Sequence, residues 1–416
     1  MLTPTEPIAA DSTLPEMPAH RLRRMQEPPR TAVIGGGPLG LEAALYAAQL
    51  GHSVWLFERE AEIAPDVRAW AHVRMFTPWS VNRSPLGEKL LREAVRKEKL
   101  AVRKFPPGRL YPTGGEFIAL YLEPLAHLLG ESVLCETRVV ALGRSYLFPE
   151  EHSDDPQKRS ARRFRLLTRS PREERVYTSD SVIDATGTTH TPRWLGAGGL
   201  PALGEMGGFR QIFHRVPDVR GSDRIHFLGK RTLLIGDGTS AATTLLALLE
   251  VASMEPNGSV VWATKSRAEM PLPLVENDPL PRRDTLMKRV NLLVKNGHPL
   301  LQYSPITQVE AVQHSLASGK FQVTLQVNHE TQRLTVDSVV ANVGYRPDAA
   351  TYERVLHPQE PGIYFVGEKS SGAGEFLLAE GRTQIRDAFR LISGQPELDL
   401  YAEASAALET SADSPA

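Results

Sequence analysis

The sequence predicts an α/β chain of two doubly wound units, and three observations carry that prediction. Thr31-Ala-Val-Ile runs into the glycine turn Gly35-Gly-Gly37-Pro-Leu-Gly40, then into an Ala- and Leu-rich stretch and a second apolar run, 53–57. Further on, Arg231-Thr-Leu-Leu-Ile runs into Gly236-Asp-Gly238-Thr-Ser-Ala241 and repeats that order. Each half then closes on a similar strand, Asp180-Ser-Val-Ile-Asp-Ala-Thr-Gly187 in one and Asp337-Ser-Val-Val-Ala-Asn-Val-Gly344 in the other. Strand, glycine turn, helix, strand is the pattern of a Rossmann-like unit, and its repetition is a fold-level signal. The expected class is α/β: two Rossmann-like three-layer domains with β-meander excursions, the first domain discontinuous.

Ala32, Val33 and Ile34 form the short apolar run expected of a buried parallel strand. Gly35 permits the tight turn, Gly37 lets backbone approach a pyrophosphate, and Gly40 lets the helix over 41–50 pack on the strand. The helix N-terminus offers free N–H groups and a positive dipole end to phosphates. Gly51 stops the helix, 53–57 is the second strand, and Glu58 ends it, 18 residues after Gly40. An acid at that distance accepts hydrogen bonds from the ribose hydroxyls of an adenosine. Three fixed glycines alone arise by chance about 0.1 times in a chain this long; the strands, helix and acid around them make the signal specific.

The segment Trp70-Ala-His72-Val-Arg74-Met-Phe-Thr-Pro-Trp79-Ser-Val-Asn-Arg83 has neither period. It reads either as a loop anchored by its tryptophans or as a pocket wall, since irregular segments after a first β-α-β unit carry ligand-binding side chains. Trp70, His72, Arg74 and Trp79 are therefore the pocket candidates. Helices are expected over 86–95 and 117–129, one strand over 132–142 holding Cys135 and Val139, a solvated loop over 149–163, and a strand over 164–168. In the second half, a helix over 242–251 and a strand over 259–267 follow the glycine turn. No acid ends that strand; Lys265, Ser266 and Arg267 stand there instead. Basic side chains at this place accommodate a 2′-phosphate, which favours NADPH over NADH. A strand over 362–366 and a helix from about Glu375 to Ile392 end the pattern.

Composition narrows the classes. The 416 residues are 41% hydrophobic and 23% charged with formal net charge −1, so bulk charge implies no nucleic-acid partner. No apolar run approaches the ~20 residues of a membrane span. Residues 1–29 carry several prolines and mixed charge with no continuous apolar stretch, unlike a signal peptide, so a cytoplasmic location is expected. Cys135 is the one cysteine, which excludes an internal disulfide, a cysteine zinc cluster and a C-x-x-C redox pair. The expected domains are a flexible tail (1–29), the first domain (30–220), the second domain (221–338), the return to the first (339–395) and a second loose tail (396–416).

Over about residues 30 to 395 the chain resembles the two-dinucleotide-binding-domain flavoproteins: pyridine-nucleotide disulfide reductases, thioredoxin-reductase-like enzymes and flavin-containing monooxygenases. The resemblance rests on Gly35-x-Gly37-x-x-Gly40 with Glu58, Ala185-Thr186-Gly187, Gly236-x-Gly238-x-x-Ala241, Gly344-Tyr-Arg-Pro-Asp348 and Val366-Gly367-Glu368. It implies FAD at Gly35, Gly37, Pro38, Leu39, Gly40, Glu58, Arg59, Val139, Thr186, Gly187, Gly367 and Glu368. It implies NADPH at Gly236, Gly238, Thr239, Ser240, Ala241, Lys265 and Arg267, with no metal. Glu368 stands where such families usually carry Asp. Disulfide reductases need a thiol pair that this chain lacks, so the resemblance points to the monooxygenase side: hydride from NADPH to flavin, then O2, then oxygenation of a small-molecule substrate. Phe209-Arg-Gln-Ile-Phe-His214 departs from the F-x-G-x-x-x-H of those monooxygenases in lacking the glycine. Electron transfer from NADPH through FAD to a separate acceptor, and a non-catalytic nucleotide-binding sensor, are the rival readings. A homodimer is left open.

Overall fold

In the computed structural model, residues 27–97, 105–145, 159–266, 270–328, 330–346, 353–355, 360–371 and 377–412 are described. Expectations for 1–26, for 146–158, for Arg267 and for the helix start near Glu375 lie outside them.

The first unit is layered by alternation along its central strand. β1 (Arg30–Ile34) lies between β2 (Ser53–Phe57) and β7 (Ser181–Asp184), all parallel, in the sheet order β16-β7-β1-β2-β3, where β3 is Val133–Leu134 and β16 is Ile363–Phe365. Val33 points to the helices α1 (Pro38–Gln49), α2 (Pro85–Arg96) and α3 (Glu123–Leu129). Ala32 and Ile34 point the other way, onto β4 (Arg138–Arg144), β5 (Phe164–Arg169) and β6 (Glu174–Ser179), a mostly antiparallel sheet that β15 (Glu353–Val355) joins. A strand buried on both faces needs the near-continuous apolar run seen here.

The second unit repeats the layers. β8 (Arg231–Ile235) is central to the parallel sheet β10-β9-β8-β14, made with β9 (Ser259–Ala263), β10 (Leu301–Ser304) and β14 (Ser338–Ala341). Leu234 packs on α4 (Thr239–Ala252) and α5 (Pro281–Asn296). Leu233 and Ile235 pack on the antiparallel meander β11 (Thr307–His314), β12 (Phe321–Val327) and β13 (Glu330–Val336). The described residues contain no helix long and apolar enough to cross a membrane.

Several expectations are corrected. The strand expected over 132–142 is two strands in two sheets. Glu136 takes a left-handed φ of 50°, and Glu136 N and Thr137 N donate to the carbonyls of Glu60 and Glu58 at 2.8 Å each, so the chain steps over the end of β2. Cys135 therefore sits in a turn, half-buried, where burial and then the Glu58 charge push its thiol up. The strand expected to reach Arg267 ends at Ala263. The loop expected to be solvated through 163 has Arg159 buried, 3.6 Å from Glu360, which also pairs with Arg144 at 2.7 Å.

The domain boundaries move too. Leu195, Ala202 and Ile212 lie in the second unit's core, and Phe213 bridges to Val340, so the outward crossing comes near residue 192 rather than 220. β14 pairs with β8, so the return crossing follows Ala341 rather than 338. The crossing segments pair with each other: Arg193 N donates to Gly344 O at 3.0 Å and Arg346 N to Thr191 O at 2.9 Å. The loose tail expected over 396–416 is instead the helix α7 (Leu400–Ala412), which follows α6 (Leu378–Ser393) and lies against α2. Asp399 caps it through Tyr401 N and Ala402 N, while Tyr401 packs 5.3 Å from Tyr46. Its alanines, which read as loose composition, are strong helix formers.

Candidate functional site

The two glycine turns are built alike. A Cβ on Gly35 would meet Ala185 O at 2.6 Å, and one on Gly236 would meet Asn342 O at 2.2 Å; both φ values are positive, +105° and +133°. Each turn is thus pressed onto the residue that follows its closing strand, β7 or β14. In the first unit a Cβ on Gly40 would lie 1.8 Å from Gly35 O, so α1 touches its own turn. Gly37, the N-cap of α1, meets nothing within 4 Å, and no side chain caps the helix.

That open side faces a cavity of about 410 Å³. Gly35, Gly37, Pro38 and Leu39 form one wall; Glu58, Arg59 and Val139 form one end; Thr186, Gly187, Gly367 and Glu368 form the other. Glu58 is 5% exposed, and its two carboxylate oxygens accept from Gly36 N at 2.8 Å and Glu60 N at 2.9 Å. Burial pushes its carboxyl up, and those two bonds offset only part of the rise. Each oxygen keeps a lone pair for a further donor. An uncapped helix end, an open glycine and a buried acceptor at one extremity fit the pyrophosphate and ribose of a dinucleotide.

At the other end the expected Thr186, Gly367 and Glu368 join a network whose further members, Asp184, Thr188, Lys369 and Gln384, sequence reasoning missed. Asp184 Oδ1 accepts from Thr186 N at 3.0 Å and Thr186 Oγ1 at 2.6 Å. Lys369 Nζ donates to Thr186 Oγ1 and stands 3.7 Å from Asp184 Oδ1. Thr188 Oγ1 donates to Glu368 Oε2 at 2.5 Å, and Gly367 N donates to Gln384 Oε1 at 2.7 Å. The available signal was an acid just before Ala185-Thr-Gly187 and a lysine just after Gly367-Glu368; only the sheet order β16-β7 brings the two together.

The four pocket candidates separate three ways. Trp70 lines the cavity. His72 and Arg74 line a different groove, between the units. Trp79 lines neither: it is 2% exposed in the first unit's core, 6.1 Å from Phe117, with Arg83 5.6 Å over its ring. The second glycine turn holds Gly236 buried, with Asp237, Gly238 and Ser240 exposed, Thr239 partly exposed and Ala241 buried beneath. Lys265, just past β9, is exposed. Among the described residues no group of His, Cys, Asp and Glu has the arrangement of a metal site.

The sequence profile of the pyridine nucleotide-disulphide oxidoreductase family matches residues 14–77. An L-amino-acid oxidase from Pseudechis australis is 31% identical over 94 residues, 22% of this chain; the chain spans 18% of that protein's length. Among solved structures, an ornithine N-hydroxylase from Kutzneria sp. 744, described with reduced FAD, NADP+ and L-ornithine, superposes with a TM-score of 0.62 at 18% identity, covering 88% of this chain and 99% of that one. A bacillithiol disulfide reductase from Bacillus cereus gives 0.60 at 17% identity, covering 89% and 100%. At such identities these structures show the fold alone: two Rossmann-like α/β units in one chain, the arrangement described above.

Proposed function

We propose that the protein is an FAD-dependent oxidoreductase that draws hydride from NADPH and, with O2, oxygenates a small-molecule substrate. The observation that supports this reading is the cavity, which brings the uncapped α1 N-terminus, the buried Glu58 carboxylate and the polar side formed by Thr186 and Glu368 into one continuous space. The single cysteine speaks against thiol exchange. When bound, the flavin supplies hydride acceptance and oxygen chemistry; the protein supplies position and exclusion of water. In this reading N–H groups at the α1 N-terminus hold the pyrophosphate, Glu58 accepts from the adenosine ribose, and Thr186, Gly187, Gly367 and Glu368 hold the far end. Trp70 covers one side. Thr239 and Ser240, at the start of α4, take the coenzyme phosphates, and Lys265 with Arg267 takes the 2′-phosphate.

The test is anaerobic reduction of the FAD-loaded protein. NADPH should bleach the flavin absorbance faster than NADH does, and in air a substrate should stimulate oxygen consumption. Bleaching without stimulated oxygen use would favour electron transfer to a separate acceptor. No bleaching by either coenzyme would leave a nucleotide-binding sensor.

The Glu58→Ala variant should bind FAD about tenfold to a hundredfold more weakly, because hydrogen bonds to a charged group contribute about 1.5–3 kcal/mol and 1.4 kcal/mol is tenfold. Flavin fluorescence titration measures this, with thermal unfolding in the absence of FAD as control. Wild-type affinity in a folded variant would remove Glu58 from the ribose.

A further inference from the structure

A second cavity is larger than the one at the first glycine turn. A groove of about 680 Å³ runs between the first unit's segment His72–Phe76 and the second unit's helices α4 and α5. Its floor is apolar: Leu246 and Ala247 on one face of α4, with Phe76, Val216 and Val219 beside them. No residue of 35–40 or 236–241 lines it. His72 Nε2 and the Pro217 carbonyl meet across it at 3.2 Å.

Its rim is strongly basic in a chain whose net charge is −1. Four guanidinium groups line it: Arg74, Arg220, Arg282 and Arg289. Arg220 is matched by Glu250 at 2.6 Å. Arg74 reaches Glu116 at 3.5 Å and also donates to the Tyr111 carbonyl. Arg282 stands 5.2 Å over the ring of the same Tyr111, so one residue of the first unit orients two guanidinium groups. Arg282 and Arg289 have no carboxylate within ion-pair distance among the described residues. The one acid in the lining, Asp218, is occupied by Gly221 N and Ser222 N at 3.1 Å each. Preset guanidinium forks above an apolar floor match carboxylate or phosphate groups on a hydrophobic body, and the volume falls in the range of small-molecule sites.

We propose that this groove binds a small anionic ligand with an apolar body, its phosphate or carboxylate held by Arg74, Arg282 and Arg289. The site is separate from both glycine turns. Calorimetric titration of the full chain with 1-naphthyl phosphate and with 1-naphthylacetate tests it, and which probe binds more tightly tells phosphate from carboxylate. At least one should bind, and the Arg282→Gln/Arg289→Gln variant should weaken it tenfold or more. The single Arg289→Gln change, at an exposed position of α5, should give a smaller loss in the same direction and serves if the double variant unfolds. Excess FAD and NADP+ should leave probe binding unchanged. Three results would each overturn the proposal: neither probe saturates at millimolar concentration, affinity is the same in both arginine variants, or the nucleotides displace the probe.

Discussion

Gly40→Ala is expected to destabilise the first unit and to abolish tight FAD binding. The added Cβ would lie 1.8 Å from Gly35 O, a backbone atom that no rotamer change can remove. Overpacking typically costs about 1–3 kcal/mol, occasionally more, and a backbone clash belongs at the upper end. Relief requires α1 to tilt away from its turn, which carries the helix N-terminus off the cavity that Gly37 and Pro38 line. Gly37→Ala provides the contrast. Its φ is −75° and nothing lies within 4 Å, so the methyl group should leave stability unchanged and weaken FAD alone by entering the cavity. At the matching place of the second unit the residue is Ala241, which carries a Cβ and is buried, 3.5 Å from the Cβ position of Gly236. Thermal unfolding and flavin titration of both variants decide the matter. A wild-type midpoint and affinity for Gly40→Ala would show that α1 can shift freely and that the close approach is incidental.

The comparison of Gly40 with Ala241 also shows what could be read from the sequence. The repeat was legible because the same backbone constraint recurs: a glycine pressed onto the residue after a closing strand, Ala185 in one unit and Asn342 in the other. The layering was legible in the apolar run 32–34, which has to feed two cores. The domain boundaries were not legible, because residues 192–228 carry no period: they join the second unit through scattered core side chains such as Leu195, Ile212 and Phe227 and through isolated bridges such as Leu203 to Ala311 and Phe213 to Val340. Attention to the closing-strand echo would have put Ser338–Ala341 in the second unit, since Ser181–Asp184 pairs with the first strand of its own. The step at Glu136 depends on a left-handed residue that is not glycine, for which local sequence offers little signal. Among the site residues, Lys369 and Asp184 lie 185 positions apart and meet only through sheet order.

Trp79 marks the limit of reasoning from composition, and Trp79→Ala should separate packing from function. An aromatic side chain in an irregular segment suits a pocket wall as well as a core, and the structure puts this one in the core at 2% exposure. Truncating a buried tryptophan costs about 3–5 kcal/mol through lost transfer energy and the cavity left behind. Arg83 adds to the loss. Its guanidinium lies 5.6 Å over the indole and 5.9 Å over Phe105, and the carboxylate nearest to it among the described residues is Glu88 at 3.5 Å. Burial already pulls the Arg83 pKa down, so removing the indole leaves a cation less compensated in a partly emptied site. The expected result is a lowered first unfolding transition, with Trp79→Phe recovering part of the loss. On the proposed function, the hydrogen peroxide formed per NADPH consumed should match wild type in whatever fraction stays folded. Trp70→Ala should do the reverse: Trp70 is partly exposed on the cavity wall, so its loss should raise peroxide yield at a smaller cost in stability. Peroxide yield raised by Trp79→Ala in a folded protein, with no loss of stability, would return Trp79 to the pocket and overturn its place in the core.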